Sequence, residues 1–174
     1  MNPCDVGYDL VTLLRRYRLE GQADVSGPDS SLDRPLADEQ LNRLYNLFDV
    51  TVLPSNGEGF GLPIVESLAA GVPVVATDYS ACPELVRGRG ELVRVLTTVT
   101  VGVNLIEHAV IDVDDLAARI GKLQRDPALV KQYSEAGLAF ARSLTWDTLM
   151  PRWLDVIGSV SGVEVSRQAR TGTG

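Results

Sequence analysis

Apolar positions along the chain change period several times, and each change marks an element. From Tyr8 to Leu19, Leu10, Leu13, Leu14 and Tyr17 recur at helical spacing with Arg15, Arg16 and Arg18 between them, which predicts an amphipathic helix with a solvated basic face. Gly21 to Pro35 interrupts the pattern with glycine, proline and serine, leaving a loop with at most a short strand over Ala23–Ser26. Leu41, Leu44, Tyr45 and Phe48 then form an i, i+3, i+4, i+7 stripe, a second helix for which Asp38 is the expected cap. The apolar run Val50-Thr51-Val52-Leu53 reads as a strand. A glycine-rich turn follows, then a helix started by Pro63 and closed by Gly71, then a buried strand ending at Thr77. Strand, loop, helix, strand is the order of a parallel sheet with a crossover helix.

Asp78–Val86 predicts a turn and a short helix, and Glu91–Val95 another strand. Thr97–Val103 is rich in β-branched residues and alternates at period two, as a half-exposed extended segment or hairpin arm would. Three helices complete the pattern. Leu116, Ile120 and Leu123 mark the first; Asp126-Pro127 starts the second, with Leu129, Tyr133, Ala136 and Phe140 on one face; Thr145 caps the third, with Leu149, Trp153, Val156 and Val160 on its apolar face. The expected organisation is one α/β domain over residues 1–160, a Rossmann-like parallel sheet with flanking helices, and a disordered tail over 161–174.

Composition narrows the function. With 174 residues, 45% hydrophobic and 22% charged, the chain has room for one core, and its net charge of -7 argues against a nucleic-acid groove or an anionic membrane surface as partner. No apolar run approaches the roughly 20 residues that cross a bilayer, so no transmembrane segment is expected. The start Met1-Asn2-Pro3-Cys4-Asp5 lacks the basic and apolar regions of a signal peptide, and a cytoplasmic protein is the expectation. Cys4 and Cys82 are too few for a disulfide framework or zinc site, and the lone His108 has no ligand cluster around it, so no metal is expected.

The chemistry concentrates between residues 55 and 66. Gly57, Gly59 and Gly61 permit positive φ and close backbone approach, and the helix they open presents its positive end to anions, which suits a diphosphate. Two carboxylates flank this loop, Glu58 within it and Glu66 about one turn into the helix. Carboxylates repel phosphate but accept hydrogen bonds from neighbouring hydroxyls, so a ligand carrying both a diphosphate and sugar diols, a nucleotide sugar, uses every part of the motif. A glycosidase needs its two acids flanking a scissile bond, with no phosphate-compatible helix start between them. A dinucleotide enzyme wants a different glycine spacing and context.

Glu58-Gly-Phe-Gly-Leu-Pro-Ile-Val-Glu66, followed by Ala69-Ala-Gly-Val-Pro-Val-Val-Ala-Thr77, resembles the E-x7-E signature of retaining glycosyltransferases of the GT-B fold, the family 4 group. The resemblance extends over residues 8–157 and corresponds to the later part of the C-terminal, donor-binding half of such a fold. It implies transfer of a sugar from a nucleotide diphosphate sugar to an acceptor hydroxyl of a glycan, lipid or small molecule, with retention and without cofactor or metal. Glu58, as the catalytic residue, would contact hydroxyls of the transferred sugar; the Gly59, Phe60, Gly61 and Leu62 backbone would face the sugar and diphosphate; Glu66 would hold the ribose. By the same likeness Ser26 and Gly27 lie near the base and Glu84 near the donor. The basic pair that neutralises the departing diphosphate in the family has no matching segment here, and Arg87 and Arg89 do not stand in for it. A sheet lacking its opening strands would leave an unpaired edge, so a second class is kept: a non-catalytic module that pairs with a partner chain or with itself.

Overall fold

The computed structural model describes residues 9–23 and 36–161. Cys4, residues 24–27 and the tail beyond Ser161 lie outside the described residues, and with them most of the strand expected over Ala23–Ser26 and the base contact expected at Ser26 and Gly27. The chain divides into two compact units, Met1–Leu44 and Tyr45–Gly174.

The first unit holds α1 (Leu10–Arg16) and most of α2 (Asp38–Tyr45). Asp9 caps α1, its carboxylate accepting from the Thr12 N–H at 3.0 Å and the Thr12 hydroxyl at 2.6 Å. That helix ends sooner than the periodicity predicts, because Arg18 turns into the left-handed region at φ 55°. In α2, Asp38 sits inside the first turn instead of capping it, and the Gln40 side chain accepts the Ala37 N–H at 3.1 Å.

The second unit is the α/β core. β1 (Thr51–Leu53), β2 (Val74–Thr77) and β3 (Gly90–Val93) form a parallel sheet in that order, joined by α3 (Leu62–Ala69) and α4 (Cys82–Val86). All four residues of the central β2 are buried, as a strand covered on both faces must be. Val74 and Ala76 pack with Ile64, Leu68, Leu85 and Val86 on one face. Val75 and Val93 pack on the other with Leu123 of α5 (Val113–Arg125), joined by Leu129, Val130 and Tyr133 of α6 (Pro127–Ser143). Gly90 pairs with Val74, and any Cβ there would run into the Val74 carbonyl, so this position admits no side chain.

Thr51 turns its backbone toward β2, its N–H donating to the Pro73 carbonyl at 3.0 Å, so the N–H and C=O of Val52 face the outer edge of the sheet. A groove of 970 Å³ runs along that edge, lined by Phe48, Val50, Val52, Val72, Ile120 and Val130 among others.

The hairpin arm expected after β3 forms, whereas its partner strand and the exposure of the last helix were not expected. The extended arm after β3 is one strand of an antiparallel hairpin, β4 (Val95–Val101) with β5 (Ile106–Ile111), and the pairing slips between Val95 and Thr97. The final helix, α7 (Trp146–Ser161), forms as predicted, but of the face expected to pack only Leu149 is half-buried, and Trp153, Val156 and Val160 are exposed. Periodicity reports an apolar stripe; whether a neighbour covers it is tertiary information.

Candidate functional site

The carboxyl ends of β1 and β2 carry the loops that matter. Thr77, the last residue of β2, donates its hydroxyl to the Ser55 carbonyl at 2.7 Å and so ties the end of one strand to the loop leaving the other. Asp78 continues the tie, its N–H donating to the Val93 carbonyl at 2.9 Å. The glycine-rich loop therefore starts from an anchored point, at the end of the sheet where α/β folds place ligands.

Within the loop only Gly61 needs its glycine for conformation: φ is 94°, and it is the N-cap of α3. Gly57 and Gly59 do not take positive φ; Gly59 has nothing within 4 Å of where a Cβ would stand, and Gly57 lies against the Tyr79 ring. Pro63 is the second helical residue, one place later than expected, with Leu62 at the first. Phe60 is 50% and Leu62 63% exposed, so the turn lies open to solvent and is not covered by core.

Among the described residues, the amides of Gly59, Phe60, Gly61 and Leu62 have no acceptor, whereas Ile64 and Val65 both bond back to the Gly61 carbonyl. Four successive N–H groups without an acceptor among the described residues, leading into a helix N-terminus, have the chemistry to receive an oxyanion.

The two carboxylates stand at either end of this run, both half-buried. The Tyr45 hydroxyl donates to Glu66 Oε2 at 3.0 Å. Tyr45 is buried, and burial together with the adjacent Glu66 charge pushes its phenol well above the ordinary range, so it stays a proton donor. One oxygen of Glu66 is thus committed to orientation. Glu58 is held through its backbone: its N–H donates to Ser80 Oγ at 2.7 Å, and Ser80 Oγ donates to its carbonyl at 3.0 Å.

The β5 strand braces the loop from another side. Ala109 N–H donates to the Asn56 carbonyl at 2.9 Å, and Asn56 Nδ2 lies 3.4 Å from His108 Nδ1. His108 is a hydrogen-bonded surface residue, and among the described residues no group of three or more His, Cys, Asp or Glu could hold a metal ion. Cys82 is buried at the start of α4; burial, reinforced by the Glu58 charge, pushes its thiol up and leaves it a packing residue.

Of the two arginines after α4, Arg89 is committed to structure. Arg89 donates to the carbonyls of Leu85 at 2.6 Å and Glu84 at 2.5 Å, and its guanidinium lies 3.9 Å from the Phe140 ring centroid, closing α4. Arg87 is exposed and 3.9 Å from Asp78. Glu84 is an exposed acid in the first turn of α4. The residues that sequence reasoning missed are Tyr45, read as one member of a core stripe, and Ser80, read as part of a turn. A hydroxyl partner 21 or 22 residues away leaves no periodic trace.

A parallel sheet with helices on both faces and a glycine-rich loop at its carboxyl edge defines a Rossmann-like α/β domain. Solved structures with this fold include sucrose-phosphate synthase from Thermosynechococcus elongatus (TM-score 0.63, 23% identity, 88% of this chain and 34% of that one). Alr3699/HepE of Anabaena, solved in complex with UDP and glucose, aligns at TM-score 0.64 and 22% identity over 89% of this chain and 36% of that one. The C-terminal domain of a glycosyl transferase group 1 family protein, LpcC, from Francisella tularensis aligns at TM-score 0.53 and 20% identity over 87% of this chain and 64% of that one. The fold is that of the GT-B glycosyltransferases. Residues 32–139 match the family "Glycosyl transferases group 1", and the chain belongs to it. Among curated relatives, MMP alpha-(1->4)-mannosyltransferase of Mycolicibacterium hassiacum is 36% identical over 102 residues, 59% of this chain and 22% of that protein. D-inositol 3-phosphate glycosyltransferase of Thermomonospora curvata is 34% identical over 136 residues, 78% of this chain and 28% of that protein. The chain thus spans about a quarter of the length of these relatives. No helix among the described residues is long and apolar enough to cross a membrane.

Proposed function

We propose that this chain is the donor-binding portion of a glycosyltransferase that moves a sugar from a nucleotide diphosphate sugar to an acceptor hydroxyl with retention of configuration. The observation that carries the reading is the run of four amides, Gly59 to Leu62, that have no acceptor among the described residues and end in the α3 N-terminus between two oriented glutamates. In this reading the amides take the diphosphate, Glu66 accepts from the ribose hydroxyls with the oxygen that Tyr45 leaves free, and Glu58 meets hydroxyls of the transferred sugar. The chemistry asked of these groups is hydrogen bonding and charge placement; no metal or cofactor enters the proposal, and the departing diphosphate takes the acceptor proton.

Calorimetry with UDP-glucose and GDP-mannose tests it. The wild-type chain binds at least one of them, and Glu66→Ala weakens that affinity by about tenfold to a hundredfold, as loss of hydrogen bonds to a charged acceptor would. Equal affinity in both proteins counts against the ribose assignment.

A second reading, a module that pairs with a partner chain or with itself, is favoured by the outward-facing Val52 backbone and the apolar groove beside it. Light scattering after size exclusion separates the two: a monomer at all concentrations removes self-association.

A further inference from the structure

Ser80 is the one residue at the site that is not glycine and yet has a left-handed backbone, with φ at 50°; among the described residues only Arg18 and Leu105 share the feature, and both lie elsewhere in the sequence. A side chain at such an angle is strained, and glycine would be the relaxed choice. The strain is maintained from below. Ser80 follows β2, whose four residues are buried, by way of Thr77 and Asp78, which are hydrogen-bonded to the loop leaving β1 and to the end of β3, and the Tyr79 N–H donates to the Thr77 carbonyl at 2.8 Å.

The result is that the Ser80 hydroxyl points back across to the glycine-rich loop. There it accepts from the Glu58 N–H at 2.7 Å and donates to the Glu58 carbonyl at 3.0 Å. Those two groups belong to the peptide units on either side of the Glu58 Cα, so one hydroxyl restrains both backbone torsions of that residue. The direction in which the Cα–Cβ bond leaves the loop is fixed by those torsions. An alanine at position 80 could make neither bond, and a glycine would keep the turn while losing both.

We propose that Ser80 is a positioning residue for Glu58: its hydroxyl clasps the two peptides flanking Glu58 and so aims the Glu58 carboxylate at the sugar of the bound donor. The inference rests on the donor reading of the site, and it can fail separately from that reading.

Two measurements on wild type, Ser80→Gly and Ser80→Ala test it. Hydrogen exchange of the ligand-free proteins reads the clasp directly: the Glu58 amide exchanges about tenfold faster or more in both variants while the β2 amides keep wild-type protection. Calorimetry with UDP-glucose against UDP, and GDP-mannose against GDP, reads its purpose. The added affinity that the sugar confers on the wild type shrinks in the variants, and the affinity for the sugar-free nucleotide is retained. Unchanged exchange at Glu58 overturns the inference whatever the ligand results. Faster exchange with an undiminished sugar increment overturns it too, since the clasp then exists without aiming anything. A wild type that binds none of the four probes overturns the donor reading, and with it the role given to the clasp, even where exchange shows the clasp to be present. The glycine variant relieves backbone strain, so loss of fold does not obscure these outcomes.

Discussion

Both acids of the loop were legible as candidates because the chemistry of a carboxylate beside a helix start is local, carried by the spacing from Glu58 to Glu66. What fixes them is not local. Tyr45 closes α2 and reaches Glu66 at 3.0 Å, yet in the sequence it is indistinguishable from Leu41 and Leu44, because a helical stripe registers the apolar ring and is silent on the hydroxyl. Its contribution can be isolated with Tyr45→Phe, which keeps the packing and deletes one O–H. The folded protein loses about 1 kcal/mol, the usual net worth of one hydrogen bond, and affinity for the sugar nucleotide falls several-fold because Glu66 is freed to rotate. Thermal melting and calorimetry measure the two effects. A variant with lowered stability and unchanged nucleotide affinity would show that Tyr45 serves the core alone.

Among the elements, β1, β2, β3 and the helices between them followed from alternation of buried strands and amphipathic segments, and their order in the sheet follows their order in the chain. The hairpin register and its slip near Leu96 did not, since β-branched residues mark an extended segment without naming its partner. Nor was the way β3 is locked to α5 and α6. Glu91 is almost wholly buried on β3 and receives Lys122 Nζ at 2.5 Å, Arg119 at 3.0 Å and the Tyr133 hydroxyl at 2.8 Å. Burial alone would raise its carboxyl; the three donors outweigh it and hold the group below the ordinary carboxylate range. A depressed folded-state value means that the unfolded chain takes up the proton first. The network's contribution is therefore complete above the unfolded value, about 4.3, and is lost as pH falls through the lower folded value. Arg119 and Lys122 are partly exposed, and solvent carries some of their charge, so Glu91→Gln costs about 2 kcal/mol at pH 7. Urea denaturation at a series of pH values should show wild type and variant converging as acid neutralises Glu91; a constant gap down to pH 3 would mean that the charge is not what binds these elements.

For the molecule as a whole, the α/β class was readable because it depends on the sequence of periods, whereas the fate of the last helix was not. α7 presents Trp146 at 70% and Trp153 at 56% exposure, beside exposed Met150 and Ile157, and it has no buried side chain among those described. An apolar stripe of that kind would ordinarily face a core. These are the only two tryptophans in the chain, so its indole fluorescence reports on α7 and on little else. Emission should accordingly be red-shifted and strongly quenched by acrylamide, a neutral quencher chosen because the net charge of -7 repels iodide. On adding urea, the helical circular dichroism should collapse across a cooperative transition while the emission maximum barely moves, since the indoles are already in water. A blue-shifted emission that resists quenching, and that reddens together with the loss of helix, would mean that α7 buries its apolar face in solution. Dependence of that shift on protein concentration would then assign the cover to a second copy of the chain, because burial within one copy is independent of concentration.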